Sequence, residues 1–272
     1  MYNCTVVIFF FLTASFFGRR RFSSTDFYSS PNTYMADSWS EISADYELLV
    51  EPFTSSFTAE LLSLTKISGA SVLDVGCGPG TVAMQALAGG ATEVAATDYA
   101  LGMVERVIER TSGKVQAVCA PGDELPSDWE KRFDAVVSCF GVIFFPNVVA
   151  GLKEMHRCCK PGGAVLVSAW GSAAETAAFR IFPTALADLG LQSPDPAKAR
   201  ADGSPLSLTT LLEEAGFENV QVHGPVTRQL RVVDGAAFFD RFARGAPGTR
   251  KVRVLRARTP SVQNLGGGMN AV

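Results

Sequence analysis

Histidine is scarce in this chain: His156 and His223 are the only two among 272 residues. The six cysteines include no Cys-x-x-Cys pair, so with so little imidazole no metal site is expected. Cys77, Cys119, Cys139 and Cys158 lie in or beside apolar runs, and Cys159 leaves a predicted helix on a different face from Cys158; buried free thiols are expected. Long apolar runs are lacking as well. Val6–Leu12 (VVIFFFL) is too short to span a bilayer, so no stable membrane span is expected in the mature domain. Internal repeats and long low-complexity tracts are absent. Positive charge is missing from the body: residues 1–34 carry +2 and 241–272 carry +7, which leaves −12 for 35–240 out of a total of −3. An acidic body of this kind argues against a nucleic-acid surface.

The two ends stand apart. Residues 1–34 join the apolar run to Arg19, Arg20 and Arg21 and a serine-rich, acid-poor stretch, the composition of a leader or targeting segment. If that leader is real the destination is an organelle, a plastid or mitochondrion; if translation starts at Met35 (Met-Ala-Asp-Ser-Trp) it is the cytoplasm. Residues 35–245 form the expected domain, and 246–272 read as a basic, disordered tail.

Within the body, apolar residues recur at helical spacing over Ser38–Leu64, with Pro52 starting a second helix. Short apolar strands are then predicted at Ser71–Val75, Glu93–Thr97, Lys114–Cys119, Phe133–Ser138 and Ala164–Ala169. Helices are predicted between them at Thr81–Ala88, Leu101–Arg110 and Val148–Lys160. Ser207–Ala215 is a further helix, and Val220–His223 with Thr227–Val232 reads as a strand pair. Alternation of this kind predicts an α/β fold: a doubly wound, Rossmann-like, mostly parallel seven-stranded sheet with an antiparallel C-terminal pair.

Two features carry chemistry. Strand Val72–Val75 runs into Gly76-Cys77-Gly78-Pro79-Gly80, a Gly-x-Gly-x-Gly turn rather than the Gly-x-Gly-x-x-Gly of dinucleotide sites. Asp74, inside the strand, is badly placed for a pyrophosphate and well placed for a ligand bearing an ammonium group. Asp98 follows the next strand, where a carboxylate can accept both hydroxyls of a ribose; a helix follows, so an N-cap is the competing role.

These segments, with Ala96–Met103, Phe133–Pro146, Leu152–Gly163, Ala169–Gly171 and Leu211–Val220, resemble in order and spacing the class I S-adenosylmethionine-dependent methyltransferases of the type 11, ubiquinone-methylase-like kind. The resemblance covers roughly Trp39–Phe239. It implies S-adenosylmethionine as cofactor, its methionine half on Asp74, Gly76, Gly78 and Gly80 and its ribose on Asp98. Tyr99 and Met103 would pack beside adenine and ribose, and Ser138 and Phe140 would lie near the sulfonium. Tyr46 would help close the site. The family's acid after the third strand has no counterpart at the matching place, which is Pro121; Asp123, two residues later, is the candidate.

Methyl transfer from a sulfonium needs alignment above all, and a base only if the acceptor must lose a proton. His156 sits in the helix before Lys160-Pro161-Gly162-Gly163, away from the strand ends, and reads as packing; His223 could approach the site. No catalytic residue is assigned. The expected function is methyl transfer to a small-molecule acceptor. The alternatives are a catalytically silent S-adenosylmethionine-binding partner protein and a nicotinamide-dependent oxidoreductase.

Overall fold

The computed structural model describes residues 5–11, 31–170 and 205–228. In chain order the elements are β1 (Thr5–Phe11), α1 (Pro31–Glu41), α2 (Ser43–Leu49), α3 (Glu51–Thr54), α4 (Thr58–Leu62), β2 (Ser71–Val75), α5 (Thr81–Ala88), β3 (Glu93–Asp98), α6 (Leu101–Thr111), β4 (Gln116–Cys119), β5 (Phe133–Cys139), α7 (Val148–Cys158), β6 (Cys159–Trp170), the helix Pro205–Glu214 and β7 (Val220–Val226).

Five strands, ordered β4-β3-β2-β5-β6 and all parallel, make the centre of the sheet. Every residue of β2 is buried, as a central parallel strand covered on both faces requires. Leu73 and Val75 point to one face, where they pack with Leu152 and Met155 of α7 and Leu212 of the last helix. Val72 points to the other, with Phe57, Leu61, Val82, Ala86 and Val107. Asp74 shares the Val72 face by strand alternation, which aims it at the start of α5. The chain leaves β2 towards β3 on one side and later returns as β5 on the other. The carboxyl ends of β2 and β5 therefore flank the topological switch point.

Beyond β6 the sheet continues through β1, parallel to β6, and β7, parallel to β1. The antiparallel C-terminal pair expected from the sequence is not met among the described residues: Val220–Val226 pairs in parallel, and most of Thr227–Val232 lies outside them.

Boundaries differ from the sequence reading at instructive places. The helical stretch around Ser38–Leu64 begins at Pro31 and is four short helices, with Pro52 in the first turn of α3. Helix α7 stops at Cys158 rather than Lys160, because Cys159 turns extended (φ −77, ψ 135) to pair with Phe133. The register then jumps, so that Ala164 next pairs with Ala135 and Pro161-Gly162-Gly163 bulges out.

Candidate functional site

The glycine turn is built by hydrogen bonds to the neighbouring strand. The Gly76 and Cys77 amides both donate to the Thr97 carbonyl, at 2.8 and 2.9 Å. Gly80 caps α5 in the left-handed region (φ 98), and an added Cβ would sit 2.9 Å from Val107 Cγ2. Glycine is required there twice over, for backbone conformation and for space.

Two carboxyls flank the turn. Asp74, 1% exposed, accepts the Ala83 amide on Oδ2 at 3.2 Å. Burial pushes its carboxyl up to about 8, the Ala83 bond offsetting a part of the rise, and the nearby Asp98 adds to it. Asp98, 7% exposed, accepts the Gly78 amide on Oδ2 and the Ala100 amide on Oδ1, each at 2.9 Å. Burial raises it to about 6 against the lowering effect of those amides. The residue that caps α6 is Ala100, not Asp98. The Asp98 carboxylate is thus oriented by backbone on both oxygens, and a carboxylate retains further lone pairs for hydroxyl donors.

Around this turn lie two chambers. One runs from Asp98, Tyr99 and Met103 past Ala120 and Gly122 to Trp39, Phe144 and Phe145. The other is polar, holding Asp74, Glu51, Cys77 and the hydroxyl residues Thr54, Ser55, Thr58 and Thr81. Tyr46, Gly76, Gly78, Cys139 and Phe140 line both and mark their junction.

Phe140 holds that junction in a left-handed conformation (φ 61), which a bulky residue adopts only under constraint. Its amide donates to Ser168 Oγ at 3.0 Å, and its ring stacks on Trp170 with centroids 4.1 Å apart and planes 20° apart. The aromatic chamber depends on two small residues. A Cβ on Gly122 or Gly151 would overlap the Phe145 ring, so Phe145 reaches the cleft only because both are glycine.

Helices α1 to α3 form a lid. Trp39 meets Tyr46 and Phe144 edge to face, at 5.7 and 5.5 Å between ring centroids. Ser40 Oγ accepts the Gly102 amide at 3.2 Å, and an added Cβ on Gly102 would crowd the Ser40 backbone. Glu47 and Glu51, one turn apart, pair with Arg106 and Arg110, one turn apart on α6. Arg110 Nη1 also donates to the Pro79 carbonyl at 2.8 Å, and the Thr81 hydroxyl donates to Glu51. One guanidinium therefore ties the lid to the glycine turn.

Of the residues expected from the sequence, Tyr46, Asp74, Gly76, Gly78, Asp98, Tyr99, Met103 and Phe140 all line the two chambers. Gly80 shapes the turn from behind. Ser138 is fully buried under the Gly141 backbone and does not line either chamber. Asp123 follows Gly122 without joining the lining. His156 packs edge to face on Phe217 at 4.9 Å, and His223 borders neither chamber. Glu51, Arg110, Trp39 and Gly122 were not singled out for the site. The matched four-residue spacing of Glu47/Glu51 and Arg106/Arg110 is a signal in the sequence that could have found this contact.

Residues 72–163 match the family model described as a methyltransferase domain. The chain is similar to an uncharacterized protein of Mycobacterium tuberculosis strain H37Rv, 33% identical over 130 residues that make 46% of this chain and 47% of that one. It is similar also to a demethylmenaquinone methyltransferase of Staphylococcus aureus, 37% identical over 102 residues, 36% of this chain and 42% of that one. The matches thus span less than half the length of these curated relatives. Among solved structures, the 1,6-didemethyltoxoflavin-N1-methyltransferase of Burkholderia thailandensis, with bound 1,6-didemethyltoxoflavin and S-adenosylhomocysteine, is 22% identical, with a TM-score of 0.42 over 53% of this chain and 66% of that one. Apart from residues 39–58, the lining of both chambers falls inside the stretch 72–163 that matches a methyltransferase domain.

Proposed function

We propose that this protein transfers the methyl group of S-adenosylmethionine to a small-molecule acceptor by in-line displacement. The observation that carries the reading is the pair of chambers joined at Gly76, Gly78 and Phe140: one aromatic with Asp98 at its wall, one polar with Asp74. An adenosine and an amino acid joined through sulfur divide along the same line. In this reading Asp98 accepts the ribose hydroxyls, Tyr99 and Met103 pack beside adenine, and Asp74 takes the ammonium group. The cofactor supplies an activated methyl on a positively charged sulfur. The chain has to align that methyl with the acceptor and keep water out, and such positioning is worth at best on the order of 7–11 kcal/mol.

The side chains at the junction favour an acceptor that is already nucleophilic. Burial pushes the Tyr46 phenol up to about 12 and the Cys139 thiol up to about 11, so both stay neutral near pH 7 and neither serves as a base or thiolate. Trp39, Tyr46 and Phe144 supply ring faces and edges, which suits an apolar or planar acceptor. The relatives named for demethylmenaquinone and didemethyltoxoflavin methylation are consistent with that class. Ser138, under the junction, and Asp123, beside Gly122, remain proposed as supports of the cofactor site.

Calorimetry with S-adenosylmethionine and with NAD tests the cofactor. Binding of NAD alone, or of neither, sinks the reading. Incubation with methyl-labelled S-adenosylmethionine and an extract of the source cells tests transfer; tight binding with no labelled product favours a silent partner protein instead.

A further inference from the structure

The polar chamber has acids from two elements and, among the described residues, no cationic side chain in its lining. Asp74 rises from the sheet, and Glu51 comes from the lid. Glu51 is only 6% exposed, well short of a surface residue. Its two oxygens receive Arg110 Nη1 at 2.8 and 2.9 Å, and Oε1 also receives the Thr81 hydroxyl. Arg110 is itself shared: its Nε lies 3.5 Å from Glu47 Oε1, and its Nη1 serves the Pro79 carbonyl. Glu47 is also paired with Arg106, which leaves Arg110 to balance Glu51, and Asp74 adds a second carboxyl to the chamber lining. A carboxylate has about four lone-pair sites, and the bonds above occupy three of those on Glu51. A buried pair of this kind is stable only when its remaining lone pairs find partners.

From this we infer that Glu51 is a binding residue for the ammonium group at the amino-acid end of the cofactor, holding it from the lid side opposite Asp74. The inference rests on the proposed S-adenosylmethionine site. An ammonium carries three donors and one positive charge, which the two facing carboxyls can share. Glu51 also connects through Arg110 to Pro79 in the glycine turn. The lid therefore closes on a cofactor with its amino acid present, and a ligand ending at the thioether leaves Glu51 unengaged. Glu51 is a specificity-determining residue: it separates the whole cofactor from truncated 5′-thioadenosines that fill only the aromatic chamber.

The test compares two ligands on the full chain, S-adenosylmethionine and 5′-methylthioadenosine, which shares the adenosine and the methylated sulfur but has no amino acid. The Glu51→Gln variant should weaken S-adenosylmethionine by about tenfold or more, the loss expected for a charge-assisted bond. Its affinity for 5′-methylthioadenosine should stay within about twofold of wild type, since that ligand does not reach Glu51. A Glu51 that only props up the lid would weaken both ligands alike, and that result, or no change in either, overturns the inference. Should Glu51→Gln fail to fold, Glu51→Asp keeps the charge and withdraws it by one methylene; the same selective loss is expected, and parallel losses overturn the inference in the same way. If wild-type protein binds neither ligand, the proposed function falls and takes this inference with it, an outcome visible before any variant is made.

Discussion

At the scale of single residues, the two buried carboxyls govern how the site responds to pH. Their folded values of about 8 for Asp74 and about 6 for Asp98 both stand above the ordinary 3.8. The folded, ligand-free protein therefore holds more protons than the unfolded chain between about pH 4 and pH 8, and it loses stability as pH rises through that window. Asp74→Asn should flatten that slope in a series of thermal unfolding curves; an unchanged slope would show that Asp74 does not titrate there. Cofactor binding has the opposite sign. An ammonium group favours the charged form of Asp74, so binding near neutral pH should release a proton and strengthen as pH rises towards 8. Calorimetry in buffers of different ionisation enthalpy measures the proton directly. Asp98→Asn replaces a charged acceptor by a neutral one that also carries donors. Affinity for S-adenosylmethionine should fall by roughly 1.5–3 kcal/mol, or about ten- to a hundredfold, and the melting temperature should drop as well, because Asn has one acceptor where Asp98 serves two backbone amides.

At the scale of elements, the site depends on close approach between segments. Gly80 ends the turn and begins α5 with φ 98 and Val107 at its back. Gly80→Ala should cost about 1–3 kcal/mol of stability, seen as a lower denaturant midpoint with no change in the steepness of the transition. Gly122→Ala acts differently. Its Cβ would claim the space of the Phe145 ring, which lines the aromatic chamber. Affinity for adenosine-containing ligands should drop more than stability does; a loss of stability alone would show that the ring has room to retreat. The lid is less legible from sequence than the sheet. Its helices are short and broken at Pro52, so their apolar spacing reads as two helices where the chain makes four, and the ion pairs that seat them join residues about sixty positions apart.

For the whole molecule, the lining of both chambers comes from residues 39–58 and 74–145. Among the described residues of 1–34 none lines either chamber, while Thr5–Phe11 pairs with Ala164–Trp170 of β6. A chain beginning at Met35 should therefore bind S-adenosylmethionine as tightly as the full chain but unfold at a lower temperature, since β6 loses its β1 partner. Equal melting temperatures would show that the β1 pairing adds nothing. Among the described residues no helix is long and apolar enough to cross a membrane.

The sequence by itself determined the alternation of strands and helices, the glycine turn, and the placement of Asp74 and Asp98 at the ends of β2 and β3. Those properties are local: continuous apolar runs make buried strands, and glycine is needed where the backbone turns left-handed. The misjudged α7 boundary has a tertiary cause, since Cys159 leaves helical geometry to pair with Phe133, a partner 26 positions away. Only the tertiary structure decided which side chains line the two chambers. It buried Ser138 beneath Gly141 and put Gly122 rather than Asp123 in the cleft wall. It brought Glu51 over the glycine turn through Arg110. These outcomes follow from contacts between segments far apart in the chain, where space and charge balance override local preference.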